Sequence, residues 1–433
     1  MSSFLFGAGR AVITPEIGTH LYGYEPNVIS TSVHDDLTAT VLAVGSGKKE
    51  DTALLFSLTL GDIQTEFCDE MRAVVSKATG ISKDNIIMAG THTHSAPNVS
   101  GLEGWGGIDR PYIDSILLPA IQRAAKDALA SMTEAEMGVA VGESKVGINR
   151  CQQQRDGVIT LGQNPWGTFD PYMTVAVFRR KDDHTPILNL IHYGCHGTAS
   201  GKNHEITRDW SGMMIDRMEQ QTHTMTVFFN GAIGDVGPRL TNGLTVGDIT
   251  FTEELGSVAA MDAMRIFKDV RTFCEPEVML HKGTVHLPRQ PYPTVDFLNR
   301  EIADLEALPY LWPLDQLHLT HDKDVRDNLL AGITHPREDF TFEQTLVQIG
   351  PMVFIPFPFE PFSEIVLRLR EYAPTPYTLS LSCCNGYNGY LPTESALCRG
   401  GYEIGVFRYA LTDSLADNSD QHIIDENLRI LNE

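Results

Sequence analysis

Short apolar runs bounded by Gly, Pro, Asn and Asp recur along this chain. They alternate with stretches whose apolar residues fall three and four apart. Runs of the first kind read as strands and stretches of the second kind as helices. An opening strand spans Phe4 to Ile13 and is closed by Thr14-Pro15. Leu37 to Val44 and Thr52 to Leu58 pair across the turn Gly45 to Asp51. Phe67, Met71, Val74 and Val75 predict a helix over 65–78, which leads into a buried strand, Asn85-Ile86-Ile87-Met88-Ala89. Ile113, Ile116, Leu117, Ile121, Ala124 and Ala128 line one side of a helix over 112–132. Strands follow over 138–144, 173–179, 187–193 and 225–229, with helices over 209–221 and 251–267.

Beyond Glu275 the pattern changes. A strand over 277–287 is followed by charged helical stretches over 294–307 and 322–330. A hairpin over 341–349 and 352–356, a helix over 363–372, a strand over 377–383 and a terminal helix over 423–431 complete the chain. No repeat and no low-complexity linker divides it. The expected fold is α/β in the mixed α+β sense, mixed β-sheets with flanking helices. It forms a single domain over 1–433, with 270–333 as a helical insertion or lid.

Composition narrows the function classes. The 433 residues are 42% hydrophobic and 21% charged, as in ordinary globular proteins. Against 33 basic residues stand 56 acidic ones, a net charge of −23. Such a surface repels phosphate backbones and anionic lipid, so no nucleic-acid partner is expected. No run is long enough for a membrane span. The N-terminus, Met1-Ser2-Ser3-Phe4-Leu5-Phe6-Gly7, lacks the basic and apolar regions of a signal peptide. Seven scattered cysteines without a CxxC suit reduced thiols. The expected compartment is the cytoplasm.

The candidate chemistry lies where strands end. Gly90-Thr91-His92-Thr93-His94-Ser95-Ala96-Pro97 follows the strand over 85–89. Two histidines at i and i+2 on a strand share a face, and a strand end is where ligand sites form. One imidazole would hold a metal and the other move protons; the plain alternative is a pair of solvated histidines. The loop Ala96 to Gly107, with Asn98 and Trp105, is a candidate substrate-facing lid. A second cluster, His192 and Cys195-His196, ends the strand over 187–193. Asp235 lies in a Gly-rich turn. Glu360 lies within Phe357-Pro358-Phe359-Glu360-Pro361-Phe362, where a carboxylate is costly unless paired or bound to a metal. Its plain reading is a helix N-terminal acid beside Pro361.

Several segments together resemble the catalytic domain of the neutral/alkaline ceramidases, zinc-dependent amidases. Gly90 to Pro97 resembles the family's GTHTHSGP, and Ile148-Asn149-Arg150 its INRS. His196-Gly197-Thr198 and Ile206 to Gly212 resemble HGTSM and ISGDNKG. Asn230 to Pro238 resembles NLGDVSP, Phe359-Glu360 the PGE segment, and Arg368-Leu369-Arg370 its RRLR. Tyr387-Asn388-Gly389-Tyr390 resembles YTHY. The matches keep the family's order over most of the chain. The resemblance implies His92, His196, Glu360 and Tyr390 as zinc ligands, with Tyr390 alternatively a donor to an oxyanion. It places His94 beside the metal, handling a proton or the scissile carbonyl. It turns Arg150 toward the substrate's polar head or a developing oxyanion. Asp209 and Asp235 are candidates for orienting imidazole N–H groups, or for cap and turn duty. His192 and His34 have no counterpart and read as structural or rim residues.

Two departures matter. The serine of the family's GDVSP is Gly237 here, so the attack would fall to metal-activated water. The family's secretion signal and C-terminal immunoglobulin-like domain have no match. The implied function is zinc-dependent hydrolysis of an amide-like, N-acyl bond in a small molecule more soluble than ceramide. The alternative is a non-catalytic or metal-dependent lyase or isomerase descendant.

Overall fold

Two βαβ units at opposite edges of one large sheet, and a third in a second sheet, determine where this chain can build a site. The computed structural model describes residues 3–25, 27–101, 107–311, 313–333, 338–409 and 415–433. The first sheet contains β1 (Leu5–Val12), β2 (Thr38–Gly45), β3 (Ala53–Leu58), β4 (Ile86–Gly90), β5 (Thr133–Glu143), β6 (Tyr172–Arg180), β7 (Pro186–Tyr193) and β8 (Thr226–Asn230). Their order is β8-β7-β6-β5-β1-β2-β3-β4. Only β3/β4 and β7/β8 run parallel; the other neighbours are antiparallel. A parallel pair needs a crossover. Helix α1 (Thr65–Thr79) supplies the first. Helix α2 (Leu118–Ala130) packs beside α1, and α3 (Asp209–Thr222) makes the second crossover, backed by α4 (Ile249–Phe267).

Strand alternation sorts the core into layers. On β2, Ala39, Val41 and Ala43 face α1 and α2, while Leu42 and Val44 face the second sheet. All eight residues of β2 are buried because both faces are covered. Helix α2 lies directly on β1: a Cβ added at Gly7 or Gly9 would sit 2.1 Å from Ala128 O or 2.2 Å from Ala124 O. The helix expected over 112–132 is interrupted by a π-helical turn at Ile113–Leu117, just before Pro119. Pro119 has no N–H to close the bond four residues back, so the turn widens there.

The second sheet holds β9 (Val278–Leu287), β10 (Phe340–Ile349), β11 (Met352–Pro356) and β12 (Tyr377–Leu381), in that order. Between β9 and β10 lie α5 (Val295–Glu306) and α6 (Pro313–Leu330), packed on each other through Ile302, Leu305 and Leu319. Helix α7 (Ser363–Tyr372) links the parallel strands β11 and β12. Helix α8 (Tyr402–Tyr409) rests on α6, and α9 (Ser419–Asn432) covers the outer face of the second sheet with α7. The layers are therefore helix, sheet, sheet, helix. No described helix is long and apolar enough to cross a membrane.

The edges of the first sheet approach each other. Ser57 Oγ on β3 donates to Phe228 O on β8 at 2.5 Å, and Asn230 Nδ2 donates to Thr91 O at 2.9 Å. Thr93 then bridges Gly197. The carboxyl ends of β3, β4, β7, β11 and β12 thus open on one place.

Candidate metal centre

His92 and His94 reach the centre by a turn. Strand β4 ends at Gly90, and His92 has φ 62°, in the left-handed region. The expectation that a shared strand face aligns the two rings is corrected on this point. The backbone N–H of His92 donates to Leu60 O at 2.9 Å, and that of His94 to Gly197 O at 3.1 Å. The left-handed turn then brings the two Nε2 atoms to 3.2 Å. A non-glycine residue pays about 1–2 kcal/mol for that conformation. The imidazole is held in return: Nδ1 of His92 lies 2.9 Å from Asp62 Oδ1, and Tyr22 donates its hydroxyl to the other Asp62 oxygen. Asp62 closes the loop after β3, one strand over from β4. Cys383 Sγ stands 3.5 Å from the same Nδ1.

His196 follows β7. Its Nδ1–H donates to Val236 O at 3.0 Å, which leaves the Nε2 lone pair facing inward. That atom lies 3.0 Å from Glu360 Oε2, and His92 Nε2 lies 3.7 Å from Glu360 Oε1. Glu360 is 1% exposed. It is not a helix N-terminal acid, because α7 begins only at Ser363; Glu360–Pro361 pairs in parallel with Tyr390–Leu391. Tyr387 donates its hydroxyl to Glu360 Oε1 at 2.9 Å.

Burial and mutual repulsion set the charges. Burial pushes His196 well below the ordinary imidazole range, helped by Arg150 and His92. Burial does the same to His94, helped by His92, His196 and Arg150. Both are therefore neutral bases. Burial also depresses His92, but Glu360 and Asp62 outweigh it and raise the ring overall. His196 Nε2 and Glu360 Oε2 are buried with no hydrogen bond, though only 3.0 Å apart. Unpaired buried polar atoms are costly, and a cation between them removes the cost. Ring nitrogens of His92, His94 and His196 lie within 4.8 Å of one another. Imidazoles with one carboxylate form a donor set that fits zinc. Asp62 and Cys383 approach His92 from its Nδ1 side, where they orient the ring.

Arg150 follows the short strand Gly147–Asn149, which pairs with Val236–Pro238. Its Nε donates to Glu403 Oε1 at 2.7 Å and its Nη2 to Tyr390 Oη at 2.9 Å. Burial raises Tyr390 well above the ordinary phenol range, against the opposing pull of Arg150. The Tyr402 ring stands edge-on to Tyr390 at 5.7 Å.

The remaining candidates do other work. Asp209 touches no imidazole. Its carboxylate accepts from Ala199 N, Ser200 N and Trp210 N at 2.7–3.1 Å, fixing the loop after His196. Asp235 accepts from Ser363 N and Oγ and from Asn149 Nδ2, tying α7 to the Arg150 segment. His192 is buried with Nε2 2.8 Å from Ser380 O, and His34 pairs loosely with Glu205 at 3.8 Å. Asn98 is buried, accepting from Ser100 N and Oγ; Trp105 lies outside the described residues. At Gly237 an added Cβ would sit 2.6 Å from Thr245 Cβ.

Asp62, Tyr22, Tyr402 and Glu403 are the partners that sequence reasoning missed. Asp62 carried a signal, an acid just beyond a mostly apolar, fully buried strand. Glu403 carried none, because its partner is 253 residues away.

No protein-family model matches the sequence, and no curated protein does. Solved structures do match. Neutral ceramidase from Pseudomonas aeruginosa superposes with a TM-score of 0.75 at 18% identity, over 100% of this chain and 75% of that one. A ceramidase complexed with C2 superposes with a TM-score of 0.75 at 16% identity, over 99% and 75%. The chain has the fold of neutral ceramidase.

Proposed function

We propose that this chain is a zinc-dependent hydrolase of an amide-like, N-acyl bond. The carrying observation is the convergence of His92, His196 and Glu360 as buried donors, two of their atoms without hydrogen bonds. The shared fold with ceramidases supports the reaction class. His92, His196 and Glu360 would hold the zinc, with Tyr390 as a fourth ligand or a donor to the oxyanion. A zinc held there would polarise a carbonyl and lower the pKa of water to about 7.

The chain's own groups do the rest. His94, kept neutral by burial and its cationic neighbours, takes a proton at Nε2 and returns it to the leaving nitrogen. Arg150, fixed by Glu403, faces the developing charge on the carbonyl oxygen together with Tyr390. Gly237 offers no hydroxyl, and the space around it is filled by Thr245. Water is therefore the nucleophile. The net charge of −23 disfavours an anionic lipid surface, so the substrate is smaller and more soluble than ceramide. Seven unpaired cysteines suit the cytoplasm. The helices of 270–333 act as a lid through their contact with α8. Gly237 also favours a second reading, a non-catalytic descendant that keeps the fold; the other alternative is a metal-dependent lyase or isomerase.

The test is metal analysis followed by a panel of short and long N-acyl amides. His92→Ala and His196→Ala are each expected to lose one zinc equivalent relative to wild type and to lose hydrolysis. Metal bound with every amide and ester inert favours one of the two alternatives. Unchanged metal content in both variants overturns the centre.

A further inference from the structure

Histidine and carboxylate donors also meet outside that centre, in the helical pair between β9 and β10. His318 and Asp322 stand one turn apart on α6, on one face. Nε2 of His318 lies 3.1 Å from Asp322 Oδ2 and 4.0 Å from Glu301 Oε2 on α5. Asp322 is 3% exposed, which is unusual for a carboxylate on a surface insertion. Its Oδ1 is engaged by His321 Nδ1 at 3.2 Å. Its Oδ2 and the facing His318 Nε2 are both buried and neither has a hydrogen bond. The distance would allow one; the direction does not. The two atoms thus stand 3.1 Å apart with no well-directed hydrogen bond between them.

A bound cation accounts for that arrangement. Zinc–nitrogen and zinc–oxygen bonds of about 2.0–2.2 Å in tetrahedral geometry place two ligands of one ion roughly 3.4 Å apart. The observed 3.1 Å leaves only a small opening of the pair to admit the ion. Glu301 is about one-third exposed and free to swing the remaining distance. Tyr409 of α8 stacks face to face on His318 and screens the spot from water. Burial raises the Tyr409 phenol above its ordinary range, and the negative charge of Glu301 and Asp322 adds to the rise.

We propose that His318, Asp322 and Glu301 form a second, structural site for a first-row divalent cation at the junction of α5, α6 and α8. One imidazole with two carboxylates suits such ions. The site pins the insertion onto α8. That helix begins with Tyr402 and Glu403, which contact Tyr390 and Arg150. The inference rests on its own donors and does not depend on the centre at His92.

Zinc titration of chelator-treated full-length protein tests it, read as metal per chain and as the shift in thermal midpoint. Wild type is expected to take up two equivalents. The His92→Ala/His196→Ala double variant should keep one, and His318→Ala should lose one. Zinc should raise the thermal midpoint of the double variant, and adding His318→Ala should abolish the rise. Glu301→Gln, a near-isosteric change at a side chain about one-third exposed, should weaken that uptake at least tenfold. A single equivalent that survives His318→Ala and Glu301→Gln but is lost with His92→Ala overturns this site and leaves the first standing. A single equivalent lost with His318→Ala overturns the first and leaves this one. No uptake overturns both.

Discussion

The Arg150–Glu403 pair can be tested without knowing the substrate. Both side chains are buried, and their 2.7 Å contact joins segments 253 residues apart. Arg150 cannot shed its charge. Burial opposes the cation, but Tyr390, Glu403 and Glu360 hold it well above the ordinary range. Glu403→Gln keeps the size and one acceptor but strands the guanidinium without a countercharge. Breaking a buried pair in this way costs about 3–5 kcal/mol. Arg150→Met strands Glu403 and costs a similar amount. Removing both charges together, as Arg150→Met/Glu403→Gln, leaves no buried charge unpaired and costs far less than the sum of the two single losses. The double variant should therefore be more stable than either single one, with a coupling of about 3 kcal/mol. Urea unfolding followed by far-ultraviolet circular dichroism, with matched slopes, measures all four proteins. Additive single variants, or a Glu403→Gln protein within about 0.5 kcal/mol of wild type, would refute the pair's role.

Two further outcomes follow from buried groups. Burial lowers the His192 imidazole to about 4. The unfolded chain titrates near 6.5, so it binds a proton that the folded chain refuses. The stability this contributes is present above about pH 6.5 and lost as pH falls toward 4, roughly 3 kcal/mol in all. His192→Gln should flatten the fall in urea midpoint across that window, and an unchanged pH slope sinks the assignment. Gly237→Ser would press its Cβ to 2.6 Å from Thr245 Cβ. Overpacking of that kind costs about 1–3 kcal/mol. The variant should be less stable, regain stability with Thr245→Gly, and show no acyl adduct by mass spectrometry; a trapped adduct or unchanged stability contradicts this.

Local regularities were legible in the sequence. The run over 85–89 and the Phe67, Met71, Val75 spacing predict a strand and a helix, and β4 and α1 lie there. The helix over 363–372 has the predicted ends, because Pro361 and the apolar residues after it leave little alternative. The charged stretch over 322–330 marked only the second half of α6, since its first turns carry few periodic apolar residues. At the site, residue types were legible and contacts were not. Glu360 was conspicuous as an acid in an apolar segment, yet its pairing with Tyr390 and its 3.0 Å approach to His196 depend on three crossovers. Asp209 and Asp235 had the right chemistry to orient an imidazole. Backbone N–H groups and Ser363 claimed them: Asp209 opens α3 beside free backbone donors, and Asp235 faces Ser363 at the start of α7.

The histidine pair shows why spacing alone misleads. On a strand, i and i+2 would have aligned the rings at no backbone cost. Here the strand stops at Gly90, and His92 takes a left-handed conformation that costs about 1–2 kcal/mol. Such strain persists only where surrounding structure over-determines it. Asp62 on the ring, Leu60 O on the backbone N–H and the Thr93–Gly197 bridge supply that constraint. Each lies at the end of a different strand from the one that carries His92. A relaxed strand would have left His92 tied to β4 alone; the strained turn ties it to β3 and β7 as well. The position of its Nε2 is thereby fixed by the sheet closure that also delivers His196.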